Sequence, residues 1–272
     1  MAIEAARRSA GDEGRRLPIV RKVKRLAKRV IAPPARTLPP AFPPALEDAD
    51  SGSLLAYRRA RLVQHTHDSY AGAAIQKFPE DLRVYEHLLW ASRCNVVVEL
   101  GTNAGGSTLW FRDRLATMAH YRRVRKPRVI AVDIVPAETE HGVRRVDPDA
   151  RHIVFVDGDV TDEALPGRSD QLLDPGDRVF VIEDSAHTYE TTMASLVGFS
   201  RFTPPGGWFV VEDTVVDVED LRIDDRWPHG VAPAVHDWLL TDQGRQFEID
   251  PSVEFYGVTC HPGGFLRRRA ST

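Results

Sequence analysis

The sequence predicts an α/β fold with a mainly parallel sheet covered by helices on both faces. Between residues 95 and about 215, short apolar segments of strand length alternate with segments of helix length. The strand segments are almost continuously apolar, which is typical of parallel strands buried on both faces. Acidic residues follow these segments repeatedly, at the points where the predicted strands end.

Composition restricts the class of protein. The chain has 272 residues, of which 42% are hydrophobic and 28% charged, as in ordinary globular proteins. No apolar run approaches the ~20 residues that span a bilayer. Cys94 and Cys260 cannot form a disulfide framework, and no four-ligand zinc spacing occurs. We therefore expect two reduced thiols in a cytoplasmic protein.

Residues 1–50 differ from the rest of the chain. Up to Arg36 there are eleven Lys and Arg residues and three acids, which gives this segment a net charge of +8. Because the whole chain has a net charge of −3, the remainder has a net charge of −11. This acidic remainder argues against nucleic acid as the main partner. Leu17 to Ile31 predicts a basic amphipathic helix, and a proline-rich linker follows it. We expect this arm to pack on the body or on another subunit of a homo-oligomer, with contact to an anionic surface as the alternative.

The sequence pattern predicts a helical cap in residues 51–93 and a ligand-binding domain in residues 94–272. In the cap, LLAYRRARLVQ and DLRVYEHLLWASR carry apolar residues at three- and four-residue intervals, whereas HDSYAGAAIQKFPED between them has no clear periodicity. The domain contains five predicted parallel strands, two intervening helices and a C-terminal antiparallel hairpin. The strands are NVVVEL, RVIAVDI, HIVFVDGD, RVFVIED and GGWFVVEDT, and the helices are STLWFRDRLATMAHY and TTMASLVGFSRF.

All five predicted strands end in acidic residues. These are Glu99, Asp133, Asp159, Asp184 and the pair Glu212 and Asp213. In an open parallel sheet the carboxyl ends of the strands face the crevice where ligands bind. The repeated placement therefore predicts a ligand site at this edge.

The first strand continues into a glycine turn, GTNAGGST. Its glycines allow the backbone to approach a ligand closely, and a helix begins near Ser107 with free N–H groups. The G-K-[ST] ending of a phosphate loop is absent, and Asn103 stands where the dinucleotide pattern has its second glycine. Glu99 before the turn and Asp133, which could bind two ribose hydroxyls, favour S-adenosylmethionine. A simple strand–helix turn without a ligand is the alternative.

Asp184, Glu212 and Asp213 end strands that are neighbours in the usual doubly wound order. Three converging carboxylates would raise one another's pKa and destabilise the fold. A hard divalent cation, Mg²⁺ or Ca²⁺ with Mn²⁺ as a further option, would remove that repulsion. Neutralisation by arginines or helix N-termini is the alternative interpretation.

His187 lies three residues beyond Asp184, about one helical turn away. At that position it could accept the proton of a substrate hydroxyl that a metal ion has made more acidic. A structural histidine at a helix start is the alternative.

Several blocks together resemble the cephalosporin hydroxylase and rhamnosyl O-methyltransferase family. They are VVELGTNAGGSTLWF, RVIAVDI, VFVIEDSAHTYE, GGWFVVEDT, GVAPAVHDWL and YGVTCHPGGFLRR, and the resemblance extends from about Tyr70 to Arg268. It implies a Rossmann-like class I methyltransferase fold with a seven-stranded sheet that binds S-adenosylmethionine and a divalent metal ion. The residues it assigns to the cofactor are Glu99, Gly101, Thr102, Gly105, Ser107, Asp133 and Asp159. Asp184, Glu212 and Asp213 match the metal ligands of similar macrolide-sugar O-methyltransferases, and His187 matches their histidine.

The expected function is metal-dependent O-methylation of a sugar hydroxyl on a glycosylated natural product, as in antibiotic tailoring. Asp184 and His187 would form its catalytic centre, and the helical cap with Val218 to Pro233 would cover the substrate. Two alternatives stay open: a hydroxylation-linked component of the cephalosporin type, and a non-catalytic subunit that keeps the fold. The 2-His-1-carboxylate iron triad has no clear candidate in the sequence.

Overall fold

The computed structural model describes residues 51–222 and 225–270, so the predicted basic helix and proline-rich arm of residues 1–50 lie outside the described residues. The strands are β1 (Ser69–Tyr70), β2 (Ala73–Ala74), β3 (Val96–Leu100), β4 (Arg128–Asp133), β5 (Ile153–Asp157), β6 (Val179–Glu183), β7 (Trp208–Val211), β8 (Phe247–Ile249) and β9 (Phe265–Arg268). The α-helices are α1 (Ser51–Gln64), α2 (Pro79–Ser92), α3 (Gly106–His120), α4 (Pro136–Val146), α5 (Leu165–Asp170), α6 (Tyr189–Phe199) and α7 (Val231–Leu239).

Seven strands form the central sheet in the order β5-β4-β3-β6-β7-β9-β8. Strands β3 to β7 are parallel, whereas β9 pairs antiparallel with both β7 and β8. The mainly parallel seven-stranded sheet and the C-terminal antiparallel hairpin are therefore confirmed. The strand order reverses direction between β3 and β6, which is the switch point where open α/β sheets bind ligands.

The sheet is buried on both faces because successive side chains of each strand enter different cores. On β3, Val97 belongs to a core with Leu88 of α2 and Phe111 of α3. Val96 and Val98, on the other face, belong to a core that includes side chains of α6 and α7. This two-sided burial explains why the strand segments are apolar without alternation.

The segment before the first sheet strand lies against the start of α3. Helices α1 and α2 are present where the sequence predicts helices, and a β1–β2 hairpin joins them. A Cβ built on Gly106 would lie 2.2 Å from the carbonyl oxygen of Ala74, so the hairpin directly contacts the first turn of α3. In the described part of the chain, no helix combines the length and apolar character needed to cross a membrane.

Candidate active site

A cavity of about 410 Å³ opens at the carboxyl ends of the parallel strands. Its volume lies in the range of small-molecule sites. The lining contains eight of the sequence-predicted site residues: Gly101, Thr102, Ser107, Asp133, Asp159, Asp184, His187 and Asp213. Glu99, Gly105 and Glu212 lie outside the lining. His65, Gln76 and Lys77, which the sequence did not single out, contribute to the wall.

Gly101 brings the turn after β3 into contact with the turn after β6. Its φ of +88° is in the left-handed region, and an added Cβ would lie 2.0 Å from the carbonyl oxygen of Asp184. The amide of Asp184 in turn donates to the carbonyl of Leu100 at 2.8 Å. The predicted cofactor turn and Asp184, the first of the predicted metal ligands, are therefore positioned by the same backbone contact.

Asp133 organises the glycine turn from the end of β4. Its Oδ2 accepts the amides of Thr102 at 2.8 Å and Asn103 at 3.1 Å, while its Oδ1 accepts the amide of Val135 at 2.9 Å. Asp159 is exposed, two residues beyond β5. Its Oδ1 accepts the amide and hydroxyl of Thr161, and these hydrogen bonds lower the pKa of Asp159.

Glu99 is fully buried at the end of β3, with one oxygen satisfied and one not. Its Oε2 accepts the hydroxyl of Thr108 at 2.6 Å, whereas Oε1 has no hydrogen-bond partner. Burial raises the pKa of Glu99 to about 7. A buried carboxylate oxygen without a partner is unusual in a folded protein, and it is consistent with a polar or cationic ligand group binding nearby.

Lys77 joins two of the three predicted metal-binding acids. Its Nζ lies 2.5 Å from Oδ2 of Asp184 and 2.6 Å from Oε2 of Glu212, and the lysine is 3% exposed. Burial opposes the charge of the ammonium, but the carboxylates of Asp184 and Glu212 raise the pKa of Lys77 well above its usual value. The other oxygen of Glu212 accepts the hydroxyl of Tyr85 at 2.6 Å. Both oxygens of Glu212 are thus engaged within the protein.

His187 faces the remaining carboxylate oxygens. Its Nε2 lies 3.3 Å from Oδ2 of Asp213 and 3.9 Å from Oδ1 of Asp184. Ligand atoms of Asp184, His187 and Asp213 all lie within 4.8 Å of one another, a spacing that a single metal ion can bridge. Burial opposes protonation of His187, but Asp213 and Asp184 raise its pKa above the usual value.

His261 holds the backbone of Asp213 in an uncommon conformation. Asp213 has a φ of +55°, and its amide donates to Nδ1 of His261 at 2.9 Å. Because Nδ1 is the acceptor, Nε2 of the neutral ring carries the hydrogen, and it lies 3.6 Å from Oδ2 of Asp81. Burial lowers the pKa of His261 and raises that of Asp81 to about 6. Asp81 and His261 therefore support the loop that carries Asp213 from inside the core.

The chain is similar to known proteins over most of its length. The family model described as Rhamnosyl O-methyltransferase/CmcI matches residues 63–269. The rhamnosyl O-methyltransferase of Mycobacterium tuberculosis is 26% identical over 210 residues, covering 75% of this chain and 79% of that protein. The Mycobacterium leprae protein of the same name is 27% identical over 204 residues, covering 74% and 83%.

Solved structures of CmcI share the fold. An apo structure superposes with a TM-score of 0.55 at 21% identity, covering 85% of this chain and 90% of that one. A structure of CmcI with Mg and SAM has a TM-score of 0.53 at 21% identity, covering 75% and 78%. The sheet described above is thus the Rossmann-like sheet of the class I methyltransferases. From its match across residues 63–269, we conclude that the chain belongs to the Rhamnosyl O-methyltransferase/CmcI family of S-adenosylmethionine-dependent O-methyltransferases.

Proposed function

We propose that this protein transfers a methyl group from S-adenosylmethionine to a hydroxyl of a sugar on a glycosylated natural product, with a hard divalent cation in the site. The observation that carries the proposal is that one cavity is lined both by the glycine turn after β3 and by Asp184, His187 and Asp213. A cofactor and a cation could therefore meet a single acceptor there. The rhamnosyl name of the mycobacterial relatives makes a rhamnoside the first acceptor to test.

The residues present fit S-adenosylmethionine. The cofactor would bind along the turn of Gly101 and Thr102, beside Ser107 and Asp133, and would supply an electrophilic methyl group on a sulfonium. Asp133 keeps this turn in place through the two amides it accepts. Glu99 offers an unpartnered carboxylate oxygen behind the turn. Such an oxygen would be stabilised by the positive charge that the cofactor brings.

The residues present also fit a hard cation. Oxygens of Asp184 and Glu212 contact one ammonium group at 2.5 and 2.6 Å, and ligand atoms of Asp213 and Asp184 lie within 4.8 Å of each other. Asp184, Glu212 and Asp213 would hold a Mg²⁺ ion, which supplies Lewis-acid chemistry that lowers the pKa of an acceptor hydroxyl. Oxygen ligands of this kind suit Mg²⁺ better than a thiolate-preferring metal.

His187 is the residue that we propose takes the acceptor proton. His187 lines the cavity, and its Nε2 lies 3.3 Å from Oδ2 of Asp213. That carboxylate would stabilise the imidazolium formed when His187 accepts the proton. Asp184 and Asp213 also orient the ring, so the acceptor oxygen would be deprotonated where it faces the cofactor.

Helix α1, the loop after β7 and the start of α7 are joined by hydrogen bonds. Arg59 of α1 donates to the carbonyl of Asp220 at 2.8 Å, which joins the first helix to the loop after β7. Asp217 accepts the amides of Gly230 and Ala232, both at 2.8 Å, which ties this loop to the start of α7. We propose that α1 and residues 218–233 form the cover over the acceptor sugar.

The test is methyl transfer from S-adenosylmethionine labelled in its methyl group to a panel of rhamnosides and other glycosides, followed by mass spectrometry. We expect label in one sugar hydroxyl, loss of transfer in excess chelator and recovery with Mg²⁺. Asp184→Asn should lose transfer, whereas Asp174→Asn, an exposed acid paired with Lys126, should not. Oxygen incorporation without methyl would reject the transferase assignment, and full activity in excess chelator would reject the metal.

A further inference from the structure

Lys77 is a buried cation within the acidic cluster, and neither the sequence pattern nor the proposed chemistry gives it a task. It is one of only five lysines in the chain and stands between the β1–β2 hairpin and α2. Its ammonium bridges Asp184 and Glu212 at 2.5 and 2.6 Å. Two carboxylates from neighbouring strands therefore share this one charge, and without it they would repel each other at close range.

The contacts of Lys77 separate the oxygens of Glu212 into two roles. Oε1 accepts the hydroxyl of Tyr85, a fully buried side chain of α2, and Oε2 accepts only from Lys77 among the hydrogen bonds described. Loss of Lys77 from the cluster would leave Oε2 of Glu212 and Oδ2 of Asp184 without their ammonium partner. The carboxylate of Glu212 would still be held by Tyr85 through Oε1. The two released oxygens would face each other across the space that the ammonium had filled.

The cavity next to Lys77 offers space for a second position of its side chain. The residue lines the 410 Å³ cavity together with Gln76 and Ile75. A lysine side chain has four methylenes and a compact charged group, so it can reorient without moving its backbone. An ion that binds the two carboxylates would place a double positive charge beside the ammonium, and this repulsion favours its movement into the cavity.

We propose that Lys77 is the counter-ion of the metal-free site: its ammonium holds the place between Asp184 and Glu212 that a divalent cation takes, and it withdraws into the cavity when that cation binds. This rests on the metal site of the proposed function. Lys77 is then a positioning residue that holds the carboxylates of Asp184 and Glu212 close together in the metal-free protein. It also competes with the metal ion for one oxygen of each carboxylate.

The test combines Lys77→Met with binding of Mg²⁺ alone, without cofactor or acceptor. Because the variant leaves two buried carboxylates without their cation, we expect its metal-free melting temperature to fall by about 6–15 °C. Because the competitor is gone, we expect calorimetry to give a Mg²⁺ affinity at least about tenfold higher than that of the wild type. Lys126→Met, which removes an exposed lysine paired with Asp174, should change neither value.

A measurement on the unmodified site covers the case in which Lys77→Met does not fold. Lysine labelled with ¹³C at Cε gives one NMR signal for each of the five lysines, and Lys77→Arg identifies the signal of Lys77. Saturating Mg²⁺ should shift that signal towards those of solvated lysines. An unmoved Lys77 signal while calorimetry detects Mg²⁺ binding, or an affinity that falls in Lys77→Met, overturns the inference and leaves the metal site standing. Absence of Mg²⁺ binding to the wild type overturns the metal site and this inference with it.

Discussion

At the scale of single residues, His187 combines a strained backbone with a ring aimed at two acids. Its φ is +57°, which is uncommon for a residue with a side chain, and its Nδ1 is buried without a partner. Uncommon backbone conformations of this kind are found at functional sites, where the surrounding structure maintains them. The geometry therefore suits a residue selected for what its Nε2 does rather than for stability.

If His187 is the general base, His187→Ala should lower kcat by about 10²–10⁴-fold. The base must be neutral, and Asp213 and Asp184 raise its pKa against the opposing effect of burial. Activity of the wild type should therefore fall as the pH drops through that raised pKa, and this acidic limb should be missing from the variant. The check is a pH profile of kcat at saturating Mg²⁺, with the exposed His236→Ala as control. An unchanged acidic limb in His187→Ala would assign it to another group.

Glu99 gives a stability prediction that needs no substrate. Its pKa is about 7 in the folded chain against 4.5 for a free glutamate, so between these values the folded state holds a proton that the unfolded state has lost. Stability should therefore decrease as the pH rises from about 4.5 to 7, by of the order of 3 kcal/mol from this group. Glu99→Gln removes that slope, and above pH 7 the cofactor-free variant should be more stable than the wild type. Urea unfolding at pH 5, 6.5 and 8 measures this, with the exposed Glu163→Gln as control. Parallel stability curves for wild type and Glu99→Gln would show that Glu99 is ionised in the fold.

The acids of the site were predictable at this scale, but the residues around them were not. Asp184 and Glu212 each follow an apolar strand segment, and an acidic residue directly after such a segment can be recognised in the sequence. Lys77 stands in a segment without periodicity, 107 and 135 positions away from the acids it contacts. Tyr85 looks like an ordinary apolar-face residue of α2. Contacts of that sequence separation depend on the tertiary fold, which a local pattern does not encode.

At the scale of elements, the site depends on two turns that touch. The turn after β3 carries the predicted cofactor residues, the turn after β6 carries Asp184, and Gly101 contacts the backbone of the latter. Neighbouring parallel strands fix the register, since Leu100 pairs with Glu183. If the turns bind cofactor and metal as proposed, the two binding functions would be coupled through this backbone packing.

Gly101→Ala should disrupt both functions, and Gly176→Ala provides a matched control. Both glycines have φ near +90°, but an added Cβ meets nothing within 4 Å at Gly176 and meets the Asp184 carbonyl at 2.0 Å from Gly101. We expect Gly176→Ala to lower the free energy of unfolding by about 1–2 kcal/mol, and Gly101→Ala by at least about 2 kcal/mol more. Gly101→Ala should also weaken binding of both Mg²⁺ and S-adenosylmethionine. Equal losses in the two variants, with binding intact, would mean that the turns can separate without consequence.

Strands were the easiest elements to predict. Each parallel strand is a short apolar run because both of its faces are buried. This pattern can be recognised without knowing which strands are its neighbours in the sheet. The helix Pro136–Val146 was not among the predicted elements, since its buried residues are few and its exposed face dominates the sequence. The two-residue strands β1 and β2 are too short to show a period. The segment that carries Lys77 therefore gave no structural signal.

At the scale of the whole molecule, charge is divided unevenly along the chain. Residues up to Arg36 carry +8 and the remainder carries −11. Exposed apolar side chains occur on α1, where Tyr57 is 46% and Val63 is 55% exposed. A basic amphipathic segment would be attracted to an acidic body and could cover such side chains. These features agree with both expectations for the arm, packing on its own body and packing on another subunit of a homo-oligomer.

If subunits associate through the arm, removing the arm, lowering its charge or raising the salt concentration should each weaken the oligomer. Sedimentation velocity of the full chain should show an oligomer at low ionic strength, and a chain starting at residue 51 should sediment as a monomer. A full-length variant with Lys22→Glu, Lys24→Glu and Lys28→Glu should also dissociate, because it keeps the length of the arm and lowers the net charge of residues 1–36 from +8 to +2. Raising the salt from 0.05 to 0.5 M should weaken association of the wild type, since the Debye length falls below about 10 Å. The same number of subunits in all three proteins would place the subunit contact on the body of the molecule, whereas a monomeric wild type would leave the arm to bind its own body or another surface.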